Sequence, residues 1–166
     1  MTLIYILIPV SIIFISIDFL RHRSKLVKNF YTLFFDRLTR NVEKNNNNLT
    51  GASYYLIGCL IIILFFKNQN IIMASLLIMS IADSFAAIIG IKYGNTKIYN
   101  NKSLEGSFVF FVISFIILNI FISSLSVFEF IVISVLVTLV ELFSYHRIND
   151  NITIPVSCSL LIKLFI

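Results

Sequence analysis

The sequence predicts an all-α polytopic membrane protein with about six transmembrane helices and one amphipathic helix in the cytoplasmic interface. Of its 166 residues, 58% are hydrophobic and 13% charged, and the mean hydropathy is +0.96. A soluble domain of this size needs far more polar surface. Apolar runs recur six times, each close to the length that crosses a bilayer, about 20 residues. The basic residues fall between those runs, where they orient a membrane protein rather than bind nucleic acid. The length allows one catalytic domain over residues 1–166.

Taken in order, residues 3–20 form the first run, and "RHRSK" stops it. Residues 24–44 then alternate Leu26, Val27, Phe30, Leu33, Phe34 and Leu38 with Lys25, Lys28, Arg37 and Arg40, the pattern of a helix lying in the interface. Residues 50–66 make a short second span and 71–91 a clear third. Residues 108–124 and 128–145 follow. The last run, 152–166, is short and contains Pro155, which suits a tilted, re-entrant or backing segment. Six spans place loops 21–49, 92–107 and 146–151 on one side, with eleven of the thirteen Lys and Arg residues. The positive-inside rule makes that side cytoplasmic, with both termini outside. The first run lacks a basic leader region and reads as a retained anchor. Cys59 and Cys158 lie in apolar runs, where a thiol behaves as a small hydrophobe.

The chemistry begins at "IADSFAAIIGIKYGNTK". On a continuous helix, Asp83, Ala87, Gly90 and Gly94 share one face, with Asp83 roughly 12 Å from the cytoplasmic end. A carboxylate at that depth is costly unless it is paired, bound to metal or facing a wet cavity. Glu141 repeats the pattern in "VTLVELFSYH", and Asp150 follows in "INDNITIP". Between them, Gly90, Lys92, Gly94, Lys97, Lys102, Ser103, Glu105 and Gly106 combine lysines, hydroxyls and glycines. Hard oxygen ligands beside such a loop suit Mg²⁺ and phosphates, and glycines let backbone N–H groups face an anion. Asp18 and Arg21, three apart, read as a snorkelling pair or a functional one. Glu129 reads as a charge at a helix start. His22 and His146 read as interfacial.

These segments, with "NKSLEGSF" and "RNVEKNNNNLTGASYYLIG", resemble the family of CTP-dependent lipid-alcohol kinases. That family comprises dolichol kinase, phytol kinase and the yeast-type diacylglycerol kinase, and is related to the phosphatidate cytidylyltransferases. Its pattern runs Gly-Asp, Gly-x-x-x-Gly, Lys-Ser-x-Glu-Gly, a membrane Glu, then Asp-Asn-x-x-x-Pro. Ala82 stands where the family usually has Gly, and Ser53 where it usually has Thr. The cytidylyltransferases' long basic C-terminal signature is missing.

The resemblance implies transfer of the γ-phosphoryl of CTP to a membrane lipid alcohol at the cytoplasmic face of the inner membrane or its equivalent. It implies Mg²⁺ on Asp83 and Asp150, with Glu141 a third ligand or the group orienting the lipid hydroxyl. Lys92, Lys97 and Lys102 then neutralise the triphosphate, Ser103 and Glu105 shape the loop, and Asn151 completes the Asp-Asn motif. Arg40 and Glu43 either line the nucleotide site or pair along a helix. The nearest alternative is phosphatidate cytidylyltransfer, and a more distant one is a small transporter using Asp83 and Glu141. Spans this few and short also leave room for a homodimer that closes the cavity.

Overall fold

The apolar runs fold as helices in the computed structural model, which describes residues 2–35, 49–99, 102–144 and 149–166. The chain divides into two compact units, Met1–Leu60 and Ile61–Ile166.

The first unit opens with α1 (Thr2–Leu20), an apolar helix that carries Pro9. The chain then bends by 118° between residues Tyr5–Leu20 and Lys25–Leu33. The helix after the bend, α2 (Lys25–Phe35), turns Tyr31 inward, and Phe35 meets Phe14 edge-to-face at 5.6 Å. Such aromatic pairs add to simple area burial. The expected amphipathic helix is therefore present at residues 25–35, and its remaining residues lie outside those described. Next comes α3 (Gly51–Phe65), within which the boundary between the units falls.

The second unit begins with α4 (Gln69–Leu77), whose first turn Asn68 caps by accepting from the Asn70 N–H at 2.9 Å. One π turn, Ile78–Ala82, joins it without a break to α5 (Asp83–Lys92). A π turn inserts an extra residue into the helix and commonly marks a functional position. Ser80 and Ser84 donate back to the carbonyls of Leu76 and Ser80, at 2.9 and 2.6 Å. Gly94 lies beyond the end of α5, so the four-residue face expected of a continuous helix stops at Gly90.

A two-stranded antiparallel ribbon, β1 (Lys97–Tyr99) with β2 (Lys102–Ser103), leads directly into α6 (Leu104–Phe121). Ser126 and Glu129 form a reciprocal capping box that starts α7 (Val127–Phe143), the helix-start role expected of Glu129. Finally, α8 (Asp150–Phe165) runs through Pro155 without stopping. Proline at its sixth residue donates no hydrogen bond to the carbonyl of residue 151, which weakens only the first turn.

Helix α6 packs against α5 and α7 and touches α4 and the π turn, while α8 backs onto α7, α4 and the π turn. Ile78, Phe110, Leu118, Ile133, Val137 and Ile154 are fully buried among them. Ser159 of α8 donates to Ser75 of α4 at 2.8 Å. Among the described residues, two helices are long and apolar enough to cross a membrane, Gln69–Lys92 and Leu104–Phe121, and the bent α1–α2 pair makes a third if counted as one span. Six such helices are not reached. In α7 the Ser126 cap and the end at Phe143 leave 17 residues, and α3 and α8 have 15 and 16.

Candidate active site

Consecutive helices joined by short connections alternate in direction. The end of α5, the starts of α6 and α8, and the end of α7 therefore share one end of the second unit. Lys92, the ribbon lysines, Glu105, Glu141 and Asp150 all belong to that end.

At its centre is Glu141, 5% exposed in the last turns of α7. The Lys102 ammonium, arriving from β2, lies 2.5 Å from Glu141 Oε1 and also donates to the Glu141 carbonyl. Ser144 Oγ is 3.4 Å from the same ammonium. Glu141 Oε2 is buried and has no hydrogen-bond partner among the described residues. A buried carboxylate oxygen left without a donor is costly, so this atom is a ready acceptor for an incoming hydroxyl. Tyr99 packs on Phe143 at 5.6 Å, a second tie between ribbon and α7. The partnership spans 39 residues of sequence. The sequence signalled it only as a carboxylate in an apolar run, to be paired, bound to metal or facing a wet cavity, and it did not name Lys102 as the partner.

The loop before the ribbon is organised from within. Glu105, in the first turn of α6, accepts the Asn95 and Thr96 backbone N–H groups on Oε1 at 3.1 and 3.2 Å. Ser103 caps α6 by accepting from the Gly106 N–H at 3.1 Å.

Around Ser103 the three glycines Gly90, Gly94 and Gly106 converge. A Cβ on Gly94 would fall 2.2 Å from the Gly90 carbonyl oxygen and 2.6 Å from Ser103 Oγ, and one on Gly106 would fall 2.8 Å from the Ala86 carbonyl oxygen. These glycines allow the close approach of α5, its following loop and α6. Gly106→Val is accordingly expected to destabilise by about 1–3 kcal/mol, as overpacking does. An unchanged melting temperature in detergent would refute that contact.

Asp83 stands half-buried as the first residue of α5, directly after the π turn. Asp150 opens α8, with its Oδ1 and that of Asn149 both accepting the Asn151 N–H, at 3.0 and 3.1 Å. The Lys92 ammonium lies over the Tyr93 ring at 5.2 Å, and Lys97 is exposed on β1. An apolar groove of about 490 Å³ between α7 and α8 is lined by Leu136, Leu139, Val140, Phe143, Leu160 and Leu161, along with Ser157. Arg40, Glu43 and His146 lie outside the described residues. Among the described residues, no three His, Cys, Asp or Glu side chains gather as a metal-binding group. Mg²⁺ does not require one, since it commonly binds through one or two carboxylates plus substrate phosphates.

In the first unit Asp18 is fully buried, and the sequence suggested only its pairing with Arg21. Its Oδ1 lies 2.9 Å from Arg21 Nε. Its Oδ2 accepts from the Thr50 N–H, Thr50 Oγ1 and Ser53 Oγ at 2.7, 2.9 and 2.5 Å. The carboxylate thus holds the start of α3 from 32 residues away, and snorkelling to water is not its role.

No protein-family model and no solved structure matches the chain. Known sequences do. An uncharacterised protein of Rickettsia prowazekii is 35% identical over 96% of the chain and 80% of its own length. A probable chloroplastic phytol kinase of Triticum aestivum is 34% identical over 70% of the chain, and the CTP-dependent diacylglycerol kinase 1 of Schizosaccharomyces pombe is 35% identical over 57%. The chain spans less than half the length of these two kinases, 44% and 43%. Their likeness agrees with the motif order read along the sequence, and the chain belongs to the CTP-dependent lipid kinase family.

Proposed function

We propose that the chain transfers the γ-phosphoryl group of CTP to the hydroxyl of a membrane lipid alcohol, such as diacylglycerol or an isoprenoid alcohol, at the cytoplasmic face. The observation that carries this reading is Glu141, a buried carboxylate with one oxygen on Lys102 and the other without a donor. Phosphoryl transfer asks little covalent chemistry of the protein and depends on positioning and charge. In this reading the lipid hydroxyl donates to Glu141 Oε2. Its oxygen bonds to the γ-phosphorus as the bond to the β–γ bridging oxygen breaks, CDP leaves, and the hydroxyl proton passes to the carboxylate.

Lys102 holds Glu141 in place and brings positive charge to the reacting end, while Lys92 and Lys97 attract the nucleotide phosphates. A bound Mg²⁺ neutralises charge developing on the phosphates, and Asp83 and Asp150 are the residues that would hold it. The groove between α7 and α8 offers the hydrocarbon body an apolar wall. Ser157 lines the groove, and Asp150, seven residues before it, falls on the same side of α8 by helical spacing. CTP as donor is supported by the names of the diacylglycerol kinase relatives.

Labelled nucleotide tests the reading. Purified protein with a panel of lipid alcohols is expected to place the γ-label of CTP in the lipid. A cytidine label in the lipid would instead mean cytidylyl transfer, and no label in any lipid would remove the kinase assignment. In the same assay, Lys97→Ala is expected to raise the KM for CTP several-fold, and to do so less at high salt, where phosphate attraction is screened. A KM unchanged at low salt would take Lys97 out of the nucleotide site.

A further inference from the structure

Two residues of the ribbon reach α7 side by side. Tyr99 and Lys102 stand opposite each other across the strands. Lys102 takes Glu141, and Tyr99 packs on Phe143 with the rings 5.6 Å apart and inclined at 58°. Lys97, given above to the nucleotide phosphates, lies two residues before Tyr99 on β1. Phe143 in turn lines the apolar groove between α7 and α8. One ring therefore belongs both to the wall of the groove and to the seat of the ribbon.

An isolated two-stranded ribbon is at best marginally stable in water. With three residues in β1 and two in β2, this one is placed by what its side chains hold. Tyr99 is 40% exposed and Phe143 60%, so burial in the core fixes neither ring. An apolar chain in the groove covers part of Phe143 and favours the position in which that ring walls the groove. In the same position the ring meets Tyr99. Ordering Phe143 from the groove side thus lowers the cost of ordering the ribbon against it.

We infer that Tyr99 is a positioning residue that couples the two substrates, so that lipid in the groove tightens the binding of nucleotide. Tyr99 acts through Phe143 on one side and through β1, with Lys97, on the other. By linkage, nucleotide tightens the binding of lipid by the same factor. The strength of an aromatic pair limits that factor to about tenfold. This coupling rests on the proposed function, since it takes the groove for the lipid body and Lys97 for the phosphates.

CTP binding to the full chain in nanodiscs tests it, with and without the methyl ether of geranylgeraniol or of diacylglycerol. These ethers offer the groove the same hydrocarbon body but carry no hydroxyl to phosphorylate, so binding is read without turnover. Saturating ether is expected to lower the Kd for CTP several-fold in the parent. Tyr99→Phe, which keeps the ring, is expected to show the same ratio. Tyr99→Ala is expected to bring the ratio close to one, as is Phe143→Leu, which keeps an apolar wall. A ratio of one in the parent would overturn the inference. So would a ratio preserved in Tyr99→Ala, which routes the coupling elsewhere, or one lost in Tyr99→Phe, which assigns it to the hydroxyl. CTP that binds no form of the protein would remove the kinase reading together with the inference. Normal transfer of the γ-label with a ratio of one would remove the inference alone.

Discussion

Glu141→Gln is expected to lower kcat by roughly a hundred- to ten-thousand-fold, the range for losing a positioned acid–base group. The KM for CTP should change little, because the lost interaction matters chiefly in the transition state. The substitution also disturbs the structure. Lys102 loses the carboxylate 2.5 Å from its ammonium. Breaking a buried ion pair costs about 3–5 kcal/mol, and less here because the Lys102 side chain keeps 24% exposure. Low turnover alone would therefore not separate chemistry from folding.

The double variant Glu141→Gln with Lys102→Met does separate them. Removing both charges deletes the unpaired ammonium, so thermal stability in detergent should return toward that of the parent while turnover stays lost. Recovery of both would show that the pair only holds the ribbon to α7. The opposite pattern in Glu141→Gln alone, normal kcat with weakened CTP binding, would move the reacting hydroxyl to Asp150.

How much of this was legible differs between elements. Helices driven by long apolar runs fell within a few residues of expectation, because burial and length decide them. Their ends shifted where a side chain took over: α6 starts at Leu104 rather than residue 108 because Ser103 caps it through the Gly106 N–H. The π turn at Ile78–Ala82 has no local signature, since its five residues are ordinary helix formers in a membrane setting. The ribbon strands Lys97–Tyr99 and Lys102–Ser103 are too short to show a periodicity, and they form where Tyr99 and Lys102 find Phe143 and Glu141 on α7. The glycines were visible, but nothing local says that Ser103 and two backbone carbonyls would crowd a side chain at those positions. Glu105 was visible as a loop residue, yet nothing local says that its carboxylate would take up the loop's own N–H groups. The ribbon's ties to α7 arise from pairing about forty residues apart, which one sequence records only as an unexplained charge or aromatic.

Asp18→Ala is expected to cost about 3–5 kcal/mol, as when one partner of a buried ion pair is removed. The carboxylate is fully buried and Arg21 only 6% exposed, so solvent relieves little of the loss. Three donors lose their acceptor together, and the Thr50 backbone N–H cannot turn elsewhere, since it stands just before the first turn of α3. Each buried donor left unsatisfied costs about 1–3 kcal/mol. The Arg21 guanidinium keeps its place over the Tyr31 ring, 4.9 Å from the centroid, and its hydrogen bond to His22 Nε2 at 3.1 Å, but loses the carboxylate that neutralises it. For a chain of this size the penalty corresponds to a fall in Tm on the order of 10 °C. Asp18→Asn keeps an acceptor for Thr50 and Ser53 while removing the charge, so it should lose less than Asp18→Ala. Asp18→Ala combined with Arg21→Met should regain part of the loss, because it deletes the buried cation whose carboxylate is gone. Melting curves of the three variants in one detergent decide the matter. An Asp18→Ala protein that melts with the parent would mean that the start of α3 is held by its own residues and that Asp18 is free to serve the catalytic chemistry instead.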